Sequence, residues 1–365
     1  MRIWLAPSAF APHRGGVEEL TLQLATTLRA AGHEVLVVTN RHPLSLAARE
    51  TVEGVPVARI AFAAPAARPR AATRFLLGEP ARQLALRALR PRPELIHIQC
   101  ASVQTLPLLV HAKLRRVPLV LTTQGETAMD AAQIYRHSAY ARASLRAAAR
   151  GAAALSACSA WTAASAAEIA PRFADAQVIP NGVDPEQWQV GAPPADPVLC
   201  AWGRHVPQKG FDLALRAFAR LRERHPQARL LLGGEGEETA RLTALAGEGV
   251  ELVGALDRAG VRRLLERSRV ALVPSRVEPF GIVALEALAA GRGLVYAAGT
   301  GIVEAAGRCG RAVDVFDEQA FADAMAAELE RPTTAEAGAA RARELTWERI
   351  ARDYEAVYAT VLARG

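Results

Sequence analysis

The stretch VLCAWGRHVPQKGFDLALRAFARLRERHPQARLLLGGEG, Val198 to Gly236, decides the fold class. A short apolar run, VLCAWG, is followed by a polar loop, by a helical stretch from about Phe211 to Arg224, and by a second apolar run, RLLLGG. Apolar runs this short, bounded by glycine, read as buried strands. A strand, a helix and another strand in so few residues form a βαβ unit, and its strands must then be parallel.

The same alternation extends in both directions. Downstream come VELVG, RVALVPS and GLVYAA, with helices between them. Upstream come RIWLAP, EVLVVT, LIHIQ, PLVLTT, ALSAC and QVIP, and the helical run VEELTLQLATTLRAAG closes on Gly32. Between the two series lies NGVDPEQWQVGAPPADP, Asn181 to Pro197, rich in turn formers and read as a linker. The final segment, WERIARDYEAVYATVLAR, is an amphipathic helix. The expectation is α/β architecture with two Rossmann-like domains and a cleft between them. Ligands of such sheets bind beyond the carboxyl ends of the strands.

Composition narrows the function. The chain has 365 residues, 51% hydrophobic and 22% charged, which fits an ordered globular protein of about two domains. The net charge is +7, and Lys113 and Lys209 are the only lysines among 44 basic residues. An arginine- and alanine-rich chain of this kind reads first as a compositional bias. The segment from Arg68 to Arg92, with Arg70, Arg74, Arg82, Arg87 and Arg90, concentrates positive charge. Only Phe75 accompanies it as an aromatic, so nucleic acid is not an expected partner. Peripheral contact with an anionic membrane fits the segment better. Cys100, Cys158, Cys200 and Cys309 are far apart, so reduced thiols and a cytoplasmic location, at most peripheral at the inner membrane face, are expected. No apolar run reaches the roughly 18 residues of a membrane span. No cluster of metal-ligating residues and no Asp-x-Asp pair appears, so no metal site and no cofactor is expected.

Four loops that follow strands carry the chemistry. Gly15 and Gly16 would let a phosphate approach backbone amides at a helix start, although a tight turn explains them as well. GRHVPQKGFD offers Arg204 and Lys209, two cations suited to a diphosphate, or else a solvated surface pair. LLGGEG places Glu235 between glycines. PSRVEPFGIVALEALAAG, Pro274 to Gly291, sets Glu278 and Glu286 in apolar surroundings, where a carboxylate is unfavourable unless paired. A helix starting near Phe280 or Gly281 would aim the amides of Phe280 to Val283 at an anion. The plain alternative is a pair of structural glutamates capping nearby amides.

Taken together, GGVEELTLQLATTLRAAGHEVLVVT, VIPNGVD, GRHVPQKGFDLALRAF, LLGGEG, VELVGAL and PSRVEPFGIVALEALAAG resemble, in this order, the retaining GT-B glycosyltransferases of family 4 (GT4). The last piece holds the E-x7-E pattern, Glu278 to Glu286. The resemblance implies an N-terminal, acceptor-binding domain of residues 1–182 joined by the final helix 346–365, and a donor-binding domain of residues 195–345. It implies that Arg204 and Lys209 hold the donor diphosphate and that Gly15 and Gly16 face the distal phosphate. Glu278 would bind the sugar hydroxyls and Glu286 the ribose. Glu235, Phe280, Gly281, Ile282 and Val283 would complete the pocket. The implied reaction transfers a hexose or N-acetylhexosamine, with retention and without metal, from a UDP-sugar to a small-molecule, lipid-linked or glycan acceptor. GDP-mannose suits the same residues.

Two positions depart from the family. A histidine-glycine pair usually follows the strand PLVLTT, whereas this chain has Gln124-Gly125; glutamine hydrogen-bonds but carries no proton. Gly299-Thr300-Gly301 replaces the usual D-x-G-G turn. A sugar-nucleotide epimerase, or a nucleotide-sugar-binding protein with reduced catalysis, is the alternative.

Overall fold

A computed structural model describes residues 1–13, 15–63, 77–129 and 134–364. Arg68, Arg70, Arg74 and Phe75 of the basic segment lie outside the described residues. The chain divides into two units, Met1–Asn181 with Trp347–Gly365, and Gly182–Thr346.

The N-terminal unit is built on β1 (Arg2–Ala6), β2 (Glu34–Asn40), β3 (Arg49–Val52), β4 (Val55–Ile60), β5 (Leu95–Ile98), β6 (Leu119–Thr123), β7 (Ala154–Ala157) and β8 (Gln177–Val178). They form one sheet in the order β3-β4-β2-β1-β5-β6-β7-β8. Every pairing is parallel except β3 with β4. That hairpin escapes the sequence reading because β3, RETV, is polar and exposed at the sheet edge. Its signal was the Glu53-Gly54 turn, where both residues take positive φ, 46° and 81°. A two-residue turn of that hand matches the twist of an antiparallel pair.

The central strands β1, β5 and β6 are buried on both faces, which is why they read as mostly apolar runs rather than alternating ones, with His97, Thr122 and Thr123 as their buried polar exceptions. The helix Trp347–Ala363 belongs to this unit. Its buried face, Trp347, Ile350, Ala351, Tyr354, Val357, Tyr358 and Val361, recurs every three or four residues. His33 Nε2 lies 2.6 Å from Glu355 Oε1 and helps anchor it.

The C-terminal unit carries β9 (Val198–Trp202), β10 (Arg229–Gly233), β11 (Val250–Gly254), β12 (Val270–Val273), β13 (Gly293–Ala297) and β14 (Arg311–Val313). Their order is β11-β10-β9-β12-β13-β14, all parallel. In the stretch Val198–Gly236, β9 and β10 pair with Leu199 beside Leu230, and the helix Phe211–Arg224 crosses between them. That helix buries Phe211, Leu215, Phe218 and Leu221. Each such side chain contributes about 1.5–3 kcal/mol by leaving water.

The turn-rich segment 181–197 is not a loose linker beyond Asn181. The Val183 amide donates to Leu345 O at 2.8 Å, Trp188 is buried, and Arg292 Nη2 donates to Gly191 O at 2.7 Å. These bonds fasten the segment to the C-terminal unit, which accordingly begins at Gly182. No helix among the described residues is long and apolar enough to cross a membrane.

Candidate active site

In the C-terminal sheet β9 and β12 are neighbours, with β10 on the far side of β9 and β13 on the far side of β12. Connections therefore leave them in opposite directions, and the loops at their carboxyl ends flank a topological switch point. The loop after β9 carries Arg204 and Lys209, and the loop after β12 carries Glu278.

The two loops meet. Lys209 Nζ lies 2.7 Å from Glu278 Oε2, and the side chains are only 17% and 8% exposed. Ser275 Oγ donates to the same carboxylate oxygen at 3.0 Å. Two charges so far out of water need each other, because an isolated buried carboxylate or ammonium costs several kcal/mol. The Arg276 amide donates to Gln208 O at 2.8 Å, so backbone joins the loops as well. Gly210, in the left-handed region at φ 65°, is what permits this approach. A Cβ there would stand 2.1 Å from Pro274 O.

Gly281, also left-handed at φ 88°, caps the helix Ile282–Ala289. Phe280 and Gly281 are buried, whereas Ile282, Val283 and Glu286 are half-buried. Glu286 thus sits within the helix and Glu278 before it. Arg204 is exposed. Glu235 is exposed too, and its carbonyl accepts from the His205 amide at 2.9 Å. With the bond from the Gly203 amide to Gly233 O, 3.1 Å, this joins the loops after β9 and β10.

His205 was missed by the sequence reading. It is fully buried, stacks edge-on against Phe211, and its Nδ1 lies 3.0 Å from Thr239 Oγ1. Desolvation lowers its pKa. Among the described residues no three His, Cys, Asp or Glu side chains gather as metal ligands.

Gly15, Gly16 and Gln124 belong to the N-terminal unit. Gly15 precedes the helix Gly16–Ala30, which has no side-chain cap, and a Cβ at Gly15 would meet Glu18 Oε2 at 2.6 Å. At Gly16 a Cβ would find open space. Gln124 follows β6 and is buried. Its Oε1 accepts from Asn181 Nδ2 at 3.0 Å, and its Nε2 donates to Gln99 Oε1 at 3.4 Å. Among the described residues, each end of the amide therefore keeps one hydrogen-bonding site for another partner.

Glu126, two residues on and absent from the sequence reading, accepts from the amides of Ala101 and Gln124 at 2.9 and 2.8 Å. Burial raises its pKa against the pull of those bonds. The signal was a lone acid after Gly125, at the start of the short helix Glu126–Met129.

Behind Gln99 the polar chain runs through His97, whose Nδ1 lies 2.6 Å from Tyr358 Oη and whose Nε2 lies 2.6 Å from Thr122 Oγ1, which in turn lies 2.6 Å from Ser156 Oγ. His97 is fully buried, and desolvation lowers its pKa from 6.5 to about 3. Its contribution to stability is therefore complete above pH 6.5. It declines as the pH falls, because the unfolded chain takes up a proton that the fold refuses until about pH 3. Between pH 7 and pH 4.5 wild type should lose about 2–3 kcal/mol more stability, by urea unfolding, than His97→Gln does. An equal loss in the variant would show that His97 is not responsible.

Known proteins resemble this chain in sequence and in fold. Residues 14–187 match Glycosyltransferase Family 4, and residues 196–331 match Glycosyl transferases group 1. Glycogen synthase of Mycobacterium tuberculosis is 30% identical over 382 aligned positions, covering 94% of this chain and 91% of that protein. Among solved structures, the sucrose-phosphate synthase of Thermosynechococcus elongatus superposes with a TM-score of 0.81 at 24% identity, over 100% of both chains. HepE of Anabaena in complex with UDP-glucose superposes with a TM-score of 0.75 at 18% identity, over 99% of this chain and 100% of that one. The fold is GT-B, and the chain belongs to the glycosyltransferases of family 4.

Proposed function

We propose that this glycosyltransferase moves a hexose or N-acetylhexosamine, with retention and without a metal, from a UDP-sugar to a hydroxyl acceptor. The Lys209–Glu278 pair at the switch point of the C-terminal sheet carries this reading, because it sets a cation and a carboxylate 2.7 Å apart at the strand ends. A diphosphate needs the cation and sugar hydroxyls need an acceptor such as the carboxylate. The crystallised UDP-glucose complex of HepE, a protein of the same fold, is consistent with a uridine nucleotide.

In the proposed reaction the bond from the anomeric carbon to the diphosphate oxygen breaks. The acceptor oxygen bonds to that carbon on the same face, and its proton passes to the departing phosphate oxygen. Lys209 and Arg204 stabilise the negative charge that grows on that phosphate, the main catalytic contribution. Glu278 orients the sugar and Glu286 binds the ribose. Glu235 and the amides from Phe280 to Val283 complete the donor pocket.

The acceptor proposed is a lipid-linked hydroxyl or a growing glycan. Leu77 and Leu84 are 75% and 68% exposed, and Arg87 and Arg90 of the basic segment are exposed as well, whereas Arg82 is buried and paired with Glu79. That surface suits peripheral contact with an anionic inner membrane face.

A panel of UDP-, GDP- and ADP-sugars tests the proposal, with the anomeric configuration of the product read by NMR. Transfer from a UDP-sugar with the donor's configuration is expected. An inverted product, or release of a free epimerised nucleotide sugar, would refute it.

A further inference from the structure

Lys209 and Glu278 stand on loops separated by 69 positions in sequence, so the gap between them must be fixed by something beyond the pair itself. Arg276 supplies a second connection. Its Nη1 donates to Pro207 O at 2.9 Å and to Asp212 Oδ1 at 2.7 Å, and its Nη2 donates to Asp212 Oδ2 at 2.8 Å. Pro207 lies two residues before Lys209 and Asp212 three residues after it. The guanidinium therefore grips the Lys209 loop on both sides of the lysine, from a position two residues before Glu278.

The grip is well formed. Asp212 is only 5% exposed. Burial alone would raise its pKa, yet the hydrogen bonds of Arg276 and the charges of Arg276 and Arg241 outweigh burial and leave it lowered. Arg241 reaches Asp212 Oδ2 at 3.3 Å. It also pairs with Glu238, whose amide donates to His205 O at 2.9 Å. The network thus returns to the loop that carries Arg204. A planar fork with two parallel bonds fixes orientation as well as distance, which a lysine at position 276 could not do.

We propose that Arg276 and Asp212 form a positioning clamp that sets how Lys209 is presented to the donor diphosphate. This rests on the reading of the Lys209 loop as the donor phosphate site. In this proposal neither residue contacts the donor itself; both act through the Lys209 loop. Opening the clamp lets the Lys209 loop drift while the sheet beneath it stays intact.

Amide hydrogen exchange on the unliganded full chain tests the clamp, comparing wild type with Arg276→Met, Arg276→Lys and Asp212→Asn. Residues 203–210 should exchange about tenfold faster in all three, with β9, β12 and β13 unchanged. UDP, GDP and ADP are titrated in parallel. The nucleotide that wild type binds should weaken by about tenfold in each variant. KM for the donor sugar should rise more than kcat falls, and Arg276→Met with Asp212→Asn combined should be no worse than either alone.

Unchanged exchange in 203–210, losses that multiply in the double variant, or full rescue by Arg276→Lys would each overturn the clamp. If wild type binds none of the three nucleotides, the donor reading fails, and the exchange data still decide whether the clamp exists.

Discussion

Lys209→Ala should lose about a thousandfold in kcat/KM, since a positioned charge on the developing phosphate anion is worth about 3–4 kcal/mol or more. The same change should also destabilise the fold, for a different reason. Glu278 sits 2.7 Å from the ammonium in a nearly dry place, and removing one partner of a buried pair leaves the other charge uncompensated at about 3–5 kcal/mol. Ser275 Oγ still donates to Glu278, so the lower end of that range applies. Lys209→Ala with Glu278→Ala should recover most of the stability and none of the activity. Thermal unfolding and initial rates on the same preparations separate the two effects. If the double variant regained activity along with stability, Lys209 would be a structural partner only.

Gly210→Ala should be the second severe change. At φ 65° an alanine pays roughly 1–2 kcal/mol for the left-handed conformation. Its Cβ would also need room 2.1 Å from Pro274 O, a backbone atom that cannot rotate aside. Overpacking of that kind adds about 1–3 kcal/mol. The relief open to the chain is to push the loop after β9 away from the loop after β12. Transfer should therefore fall more than tenfold, beyond what the stability loss explains, and the midpoint of urea unfolding should drop with an unchanged m-value. Wild-type activity in a folded Gly210→Ala protein would show that the close approach of the loops is not required.

Much of the fold was legible because buried parallel strands leave unbroken apolar runs, as in Val198–Trp202 and Gly293–Ala297. The edge hairpin was not, since an exposed strand such as Arg49–Val52 has no core face to betray it. Glu278 and Lys209 stood out as charges in apolar or turn-forming surroundings. Their mutual contact could not be read, because it follows from β9 and β12 being neighbours, a fact of strand order rather than of local pattern. Arg276 and Asp212 were hidden for the same reason. In an arginine-rich chain neither looks unusual until the crossover brings them together. Gln124 was noticed as a departure from the family, but its partners Asn181 and Gln99 come from distant positions and only the fold joins them.

One titration tests the donor site most directly. Wild type, Arg204→Ala and Lys209→Ala, each confirmed as folded, are titrated with UDP by calorimetry. If the loop after β9 holds the donor diphosphate, wild type binds and each variant loses about tenfold or more in affinity, in keeping with the loss of a charge-assisted hydrogen bond. UDP binding of unchanged affinity in both variants would contradict the assignment of the site.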